Sequence, residues 1–289
     1  MRIGVVFPQT EIGGAASAVR AYGQRVEELG YQHVLAYDHV VGADPEAHAP
    51  WTGPYNVHTT FHEPMVLFGY LAALTSLEMV TGIIILPQRQ TVLAAKQAAE
   101  IDLLTDGRFR FGVGIGWNAV EYEALGKDFH NRGRRFDEQI TLLRRLWTEP
   151  SITFDGDHDK VTAAGLAPLP VQRPIPLWLG AQSPRAYERV GRLADGWFPQ
   201  MGPDEKFDAA LASINAAAEA AGRDPATIQM EPRVSYQKGG LDKLVEQVAA
   251  WRDRGATHLS VNTMKADLGP VEGHLTALTE VAEALRLSS

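Results

Sequence analysis

Few residues of this chain could do chemistry and none of them is a thiol, because the 289-residue sequence contains no cysteine. That absence removes disulfides, thiolate nucleophiles, iron–sulfur clusters and every zinc site with a sulfur ligand. The work falls to other side chains or to a bound cofactor. Asp38-His39 closes the apolar run HVLAY, and a histidine at a strand tip beside a carboxylate can donate hydrogen bonds or exchange a proton near neutral pH. Asp38 as a turn cap with His39 as a satisfied rim residue explains the same pair. Gln88-Arg89 ends an isoleucine-rich run and could supply donors to a polar ligand.

The segment GVGIGWNAVEYEALG sets Gly112, Gly114 and Gly116 on one side of an extended chain, which leaves room for a flat ligand or a close helix. Trp117, Asn118 and Glu121 follow its tip. The G-x-G-x-G spacing lies within the strand, unlike the dinucleotide fingerprint, whose glycines follow one. Ser183 at an N-cap and Pro184 after it open a helix, so the amides of Gly180-Ala181-Gln182-Ser183 would face an anion placed there. A capped helix without a ligand has the same signature. Gly196-Trp197-Phe198-Pro199 could wall the same pocket.

Other chemistries find less support. The first strand ends in Phe7-Pro8-Gln9-Thr10 and the last in Asn262, without the His-x-His and Asp of a barrel metallohydrolase, so no metal site is expected. Glu121 and Glu231 are available as a glycosidase pair, yet nothing brings them together, and Glu231 precedes Pro232 inside a strand. Lys238 and Lys265 lie in loops, where they suit steering an anionic ligand toward the Ser183 helix start better than forming a Schiff base.

The elements that must position these residues alternate. Apolar runs at Ile3–Phe7, His33–Tyr37, Met79–Leu86, Phe109–Ile115, Pro176–Gly180, Gly196–Pro199, Ile228–Ser235 and His258–Asn262 are separated by stretches of helical period. With no low-complexity linker, this pattern predicts one (β/α)₈ TIM barrel domain over 1–289 in preference to a doubly wound sheet. An insertion is expected after the second strand (Val41 to His62), and a hairpin insertion after the fourth helix, around Asp155-Gly156-Asp157. Lysine plus arginine number 27 and aspartate plus glutamate 35, so the net charge is 27 − 35 = −8, without the basic footprint of a nucleic-acid or anionic-membrane binder. The ligand is expected to be small. No apolar run is long enough to span a bilayer, and the N-terminus reads as a strand, not a signal peptide, so a cytoplasmic protein is expected.

Taken together, Asp38-His39, LPQRQTVLAAKQAAEIDLLTDGRFRFGVGIGWNAVEYEALG, NRGRRFDEQITLLRRLW and IPLWLGAQSPRAYERVGRLADGWFP resemble the bacterial luciferase-like monooxygenase family, and within it the branch that uses coenzyme F420. The resemblance implies a (β/α)₈ barrel that carries a flavin or deazaflavin over the strand tips, with its phosphate at Gly180, Ala181, Gln182 and Ser183. It implies a non-prolyl cis peptide at the third strand tip, placed at Ile83-Ile84, and ring or pocket contacts from Asp38, His39, Trp117, Asn118 and Trp197. Some relatives carry a glutamate proton donor where this chain has Trp117. Glu121 is the nearest replacement, and His39 with Glu121 form the expected catalytic pair. The implied activity is hydride transfer between F420 and a small organic substrate. An FMN-dependent monooxygenase fed by a flavin reductase is one alternative, and a non-catalytic flavin-binding barrel another; a homodimer is a family expectation.

Overall fold

A computed structural model describes residues 1–288. The short apolar runs become strands because both of their faces are covered, and the amphipathic stretches between them become the covering helices. In chain order these are β1 (Arg2–Val6), α1 (Ala16–Glu28), β2 (His33–Ala36), α2 (Pro64–Ala72), β3 (Glu78–Thr81), β4 (Ile84–Ile85) and α3 (Thr91–Leu104). Then follow β5 (Phe109–Gly114), α4 (Ala119–Ala124), α5 (Arg132–Thr148), β6 (Ile152–Asp155), β7 (Lys160–Ala164), β8 (Leu177–Gly180), α6 (Pro184–Leu193) and β9 (Gly196–Phe198). The chain closes with α7 (Glu205–Ala220), β10 (Gln229–Met230), β11 (Arg233–Ser235), α8 (Leu241–Asp253), β12 (His258–Asn262) and α9 (Val271–Leu285). Helix stops at Gly30 and Gly255 take left-handed conformations, with φ of 84° and 82°. No helix among the described residues is long and apolar enough to cross a membrane.

The fold is α/β. One parallel sheet runs β10-β9-β8-β5-β3-β2-β1-β12-β11, with β4 also on β5, while β6 and β7 form a separate antiparallel hairpin. The sheet curls so far that its end strands, β10 and β11, are two halves of one extended stretch, separated only by Glu231-Pro232. β10 pairs with β9 while β11 pairs with β12, and the Pro232 carbonyl still accepts from Ser260 N at 3.1 Å. The expected strand Ile228–Ser235 is interrupted there because proline has no N–H to donate. The expected strand Met79–Leu86 is likewise divided, by a bulge at Gly82-Ile83.

The inside of the curled sheet is filled in two storeys. Near the strand starts lies a buried ion network: Arg110 reaches Glu231 at 2.5 Å and Glu78 at 3.1 Å, and His33 meets Glu231 at 2.9 Å. Above it Val6, Leu35, Val80, Trp178, Phe198 and Met264 form an apolar floor beneath the strand tips. Gly112 lets β3 and β5 close over that floor, since a Cβ built on it would stand 1.8 Å from the Thr81 carbonyl oxygen. The obstacle is backbone and cannot turn aside. Gly112→Ala is therefore expected to cost at least about 1–3 kcal/mol, the usual scale of overpacking. Urea unfolding checks this; an unchanged midpoint would mean that the strand has room to spare.

Candidate active site

Three cavities share the face at the strand tips. The middle one, about 310 Å³, has apolar walls from Leu35, Ile83, Ile115 and Phe198 and is bounded on one side by Gly180, Ala181, Gln182 and Ser183. Ile83 reaches it because the chain leaves β3 through a cis Gly82-Ile83 peptide and re-enters the sheet as β4. This is one residue earlier than the expected Ile83-Ile84. The bulge is braced from below: Asp38 Oδ2 accepts from Ile85 N at 3.0 Å, and Thr81 Oγ1 donates to the Gly112 carbonyl at 2.7 Å. A Cβ on Gly114 would lie 2.7 Å from Ile83 Cδ1. The glycines of β5 thus make room for the bulge rather than directly for a ligand, and the bulge presents Ile83 to the cavity.

Ser183 occupies the N-cap of α6 in extended conformation (φ −143°, ψ 158°), and its hydroxyl makes no capping bond. Among the described residues, the amides of Ala181, Gln182, Ser183, Arg185 and Ala186 donate to no carbonyl, leaving the helix start with open donors at the cavity edge.

His39 borders a smaller cavity of about 170 Å³ together with Tyr37, Tyr55, Ile83 and Trp117. Its ring sits 5.1 Å from Tyr55, 4.8 Å from Phe61 and 5.7 Å from Trp117, so part of the long β2–α2 segment folds over it. His39 Nδ1 lies 3.3 Å from Glu121 Oε2, which also accepts from Gln88 Nε2 at 3.1 Å. Glu121 Oε1 accepts from Val40 N at 2.5 Å and Val41 N at 3.3 Å. Burial pushes the Glu121 carboxyl up, but the hydrogen bonds from His39, Gln88 and Val40 outweigh it and hold the pKa below the usual value. An ionised carboxylate only accepts, so His39 carries its proton on Nδ1 and turns Nε2 outward from the pair.

The other sequence expectations divide by the face each residue takes. Asp38 borders the small cavity, but its oxygens are committed to Ile85 N and to Arg89 Nη2 at 2.8 Å, so it braces the wall. Ile84 is buried in the outer core, on the opposite side of the chain from Ile83. Asn118 is buried as the cap of α4, with its side chain accepting from Val120 N at 3.1 Å. Trp197 points outward and stacks on Phe207 with centroids 5.6 Å apart, because neighbours in a strand face opposite ways. Phe198, its neighbour, lines the cavity instead. Gln88 and Arg89 hold Glu121 and Asp38 rather than a ligand. Lys238 donates to the Asp267 carbonyl and Lys265 lies over Tyr55; neither lines a cavity with Ser183.

Sequence reasoning missed Arg233. It lines all three cavities, and its guanidinium bonds Tyr37 Oη at 3.0 Å and Gln200 Oε1. Its place just after Pro232, on the outgoing half of a strand, was the available signal.

Comparison with known proteins bears on the family and the fold. An F420-dependent hydroxymycolic acid dehydrogenase of Mycobacterium tuberculosis is 30% identical over 239 residues, which cover 80% of this chain and 62% of that protein. An FMNH(2)-dependent dimethylsulfone monooxygenase of Pseudomonas putida is 30% identical over 207 residues, covering 70% of this chain and 54% of the relative. A solved F420-dependent secondary alcohol dehydrogenase, in complex with an F420-acetone adduct, shares the TIM-barrel-like fold at a TM-score of 0.79 and 16% identity, over 99% of each chain. Residues 1–237 match the luciferase-like monooxygenases, so the chain belongs to that family of flavin- or F420-dependent oxidoreductases.

Proposed function

We propose that this protein is an F420-dependent oxidoreductase, a single (β/α)₈ barrel domain over 1–289 that passes hydride between the deazaflavin and a small organic substrate. The observation that carries the reading is the middle cavity, an apolar slot with Ile83 on one wall that opens at its edge onto the unengaged amides of the α6 start. A flat ring with a phosphate-bearing tail needs those two features side by side. Ile83, Leu35 and Phe198 would hold the ring, and Gly180, Ala181, Gln182 and Ser183 the phosphate. When bound, the cofactor supplies the hydride chemistry, which suits a chain without thiols.

The chain's own residues supply positioning and proton management. Glu121 fixes the tautomer of His39, so that Nε2 gives or takes the proton of the reacting substrate. Trp117, Tyr55 and Phe61 pack round the imidazole and exclude water from it. The mycobacterial relative supports F420, while the Pseudomonas relative supports the second reading, an FMN-dependent monooxygenase fed by a separate reductase. Titrating the apoprotein with F420 and FMN side by side separates them. F420 is expected to bind at least about tenfold more tightly, a difference of about 1.4 kcal/mol. Tight FMN binding with F420 ignored, together with oxygen uptake on adding reduced FMN, would establish the second reading in its place.

A further inference from the structure

The largest of the three cavities, about 560 Å³, lies beside the proposed ring slot, between the tips of β9 and β11 and the start of α8. Among the described residues, its lining holds two cations, Arg233 and Lys243, and no acid. Among the described residues, the one acid in the linings of all three cavities is Asp38, already neutralised by Arg89 at 2.8 Å. That is conspicuous in a chain whose net charge is −8.

Arg233 is the one residue common to all three linings. Among the described residues no carboxylate lies within ion-pair distance of it, and both of its side-chain hydrogen bonds go to neutral oxygens, Tyr37 Oη and Gln200 Oε1. A half-buried guanidinium without a counter-charge is a planar fork waiting for an anion. Gly240, at the N-cap of α8, borders the same cavity and brings no capping side chain, which leaves the positive end of that helix facing it.

We propose that this cavity is an anion subsite in which Arg233, assisted by Lys243, binds a carboxylate or phosphate on the part of the bound molecule that extends away from the ring slot. This rests on the oxidoreductase reading and adds to it the chemical class of the ligand. Two sources carry such a group: a substrate with an acidic end, or the acidic tail of the cofactor itself.

The test uses the full-length protein, Arg233→Met and Lys243→Gln, with a keto acid against its methyl ester as substrates and F420 against the same cofactor stripped of its glutamates as ligands. If the anion is the substrate's, Arg233→Met raises KM for the keto acid by about 10- to 100-fold, the scale of one lost charge-assisted hydrogen-bond pair, and leaves the ester and both cofactor Kd values unchanged. If it is the cofactor's, F420 binding weakens by a similar factor while the glutamate-free form is unaffected. Lys243→Gln shifts the same quantity in the same direction by a smaller factor, and this exposed substitution keeps the test open should Arg233→Met fold poorly. Equal effects on both members of each pair, or none on either, overturn the subsite. Should F420 not bind the wild-type protein, the oxidoreductase reading falls separately. The subsite is then read from tryptophan fluorescence as pyrophosphate and glutarate are titrated into wild type and Arg233→Met, with Trp251 in the cavity wall as reporter. Loss of either titration in the variant supports the subsite, and identical curves overturn it.

Discussion

Arg110→Met is expected to destabilise the protein by about 3–5 kcal/mol, the cost of leaving a buried charge without its partner. Arg110 is 4% exposed and Glu231 0%, and they meet at 2.5 Å inside the curled sheet. The same guanidinium neighbours Glu78 at 3.1 Å and lies 4.5 Å above the Trp178 ring. Glu231 Oε1 is served separately, by His33 at 2.9 Å and Ser260 Oγ at 2.6 Å. Burial pushes the Glu231 carboxyl up, yet the charge of Arg110 and the bonds from His33 and Ser260 hold it well below the usual carboxylate range. Methionine fills much of the volume and none of the charge. The double variant Arg110→Met/Glu231→Leu is expected to recover part of the loss, because it removes the unpaired Glu231 charge while Glu78 keeps Arg2 at 3.1 Å and His33 keeps Ser260 Oγ at 3.1 Å.

The pH dependence has a definite sign. A carboxyl whose pKa is depressed by folding contributes stability above its unfolded value, about 4.3, and loses that contribution as pH falls through the folded value. The gap between wild type and Arg110→Met is therefore full at pH 7 and narrows below about pH 4.3. His258 adds to the acid sensitivity. Burial, with Arg110 and His33 nearby, pushes it down to about 2, so the folded protein keeps it neutral where the unfolded chain protonates it. Stability should fall from about pH 6.5 downward, by up to about 1.4 kcal/mol per pH unit for this group. Urea midpoints measured from pH 7 to about pH 2.5 check all three statements. A gap of under 1 kcal/mol at neutral pH would remove the network from the list of major stabilising features.

Glu121→Gln has the largest expected effect on activity. Four donors converge on the two Glu121 oxygens: His39 Nδ1, Gln88 Nε2, Val40 N and Val41 N. Glutamine offers one oxygen and one NH₂, so either orientation sets a donor against a donor, at a stability cost of about 1–3 kcal/mol. With its oxygen kept on the backbone amides of Val40 and Val41, which cannot turn away, the glutamine presents its NH₂ to the imidazole. His39 then loses the acceptor that fixes its tautomer, and kcat is expected to fall by about 100-fold or more, the scale of one general acid/base. KM and cofactor Kd should stay within about threefold, because Glu121 borders none of the three cavities. That split between kcat and KM is what a merely structural role would not produce. A variant with weakened cofactor binding and unchanged kcat would place Glu121 in the ligand site and take it away from His39.

Local signals carried much of this molecule. The runs HVLAY and HLSVN read as strands because both faces are apolar, and Ser183-Pro184 reads as a helix start because the two residue types suit those positions. Composition without cysteine pointed to a bound redox cofactor. Motif resemblance pointed to the family, and the match over 1–237 bears that out.

What stayed hidden depended on contacts distant in sequence. His39 and Glu121 are 82 residues apart, and nothing in either local run says that they meet. Trp197 and Phe198, or Ile83 and Ile84, are equivalent to a composition argument; only the side of the strand that turns inward separates a cavity wall from the outer core. The room left by Gly114 could have been filled by a ligand, a helix or a neighbouring strand, and the bulge at Ile83 fills it. Arg233 gains its meaning from three cavities and from having no carboxylate within ion-pair distance among the described residues. Residue types and short-range periodicity determined which elements form and what chemistry is available. Tertiary structure alone decided which side chains share the site, because the facing of each strand and the pairing of buried charges are set by long-range packing.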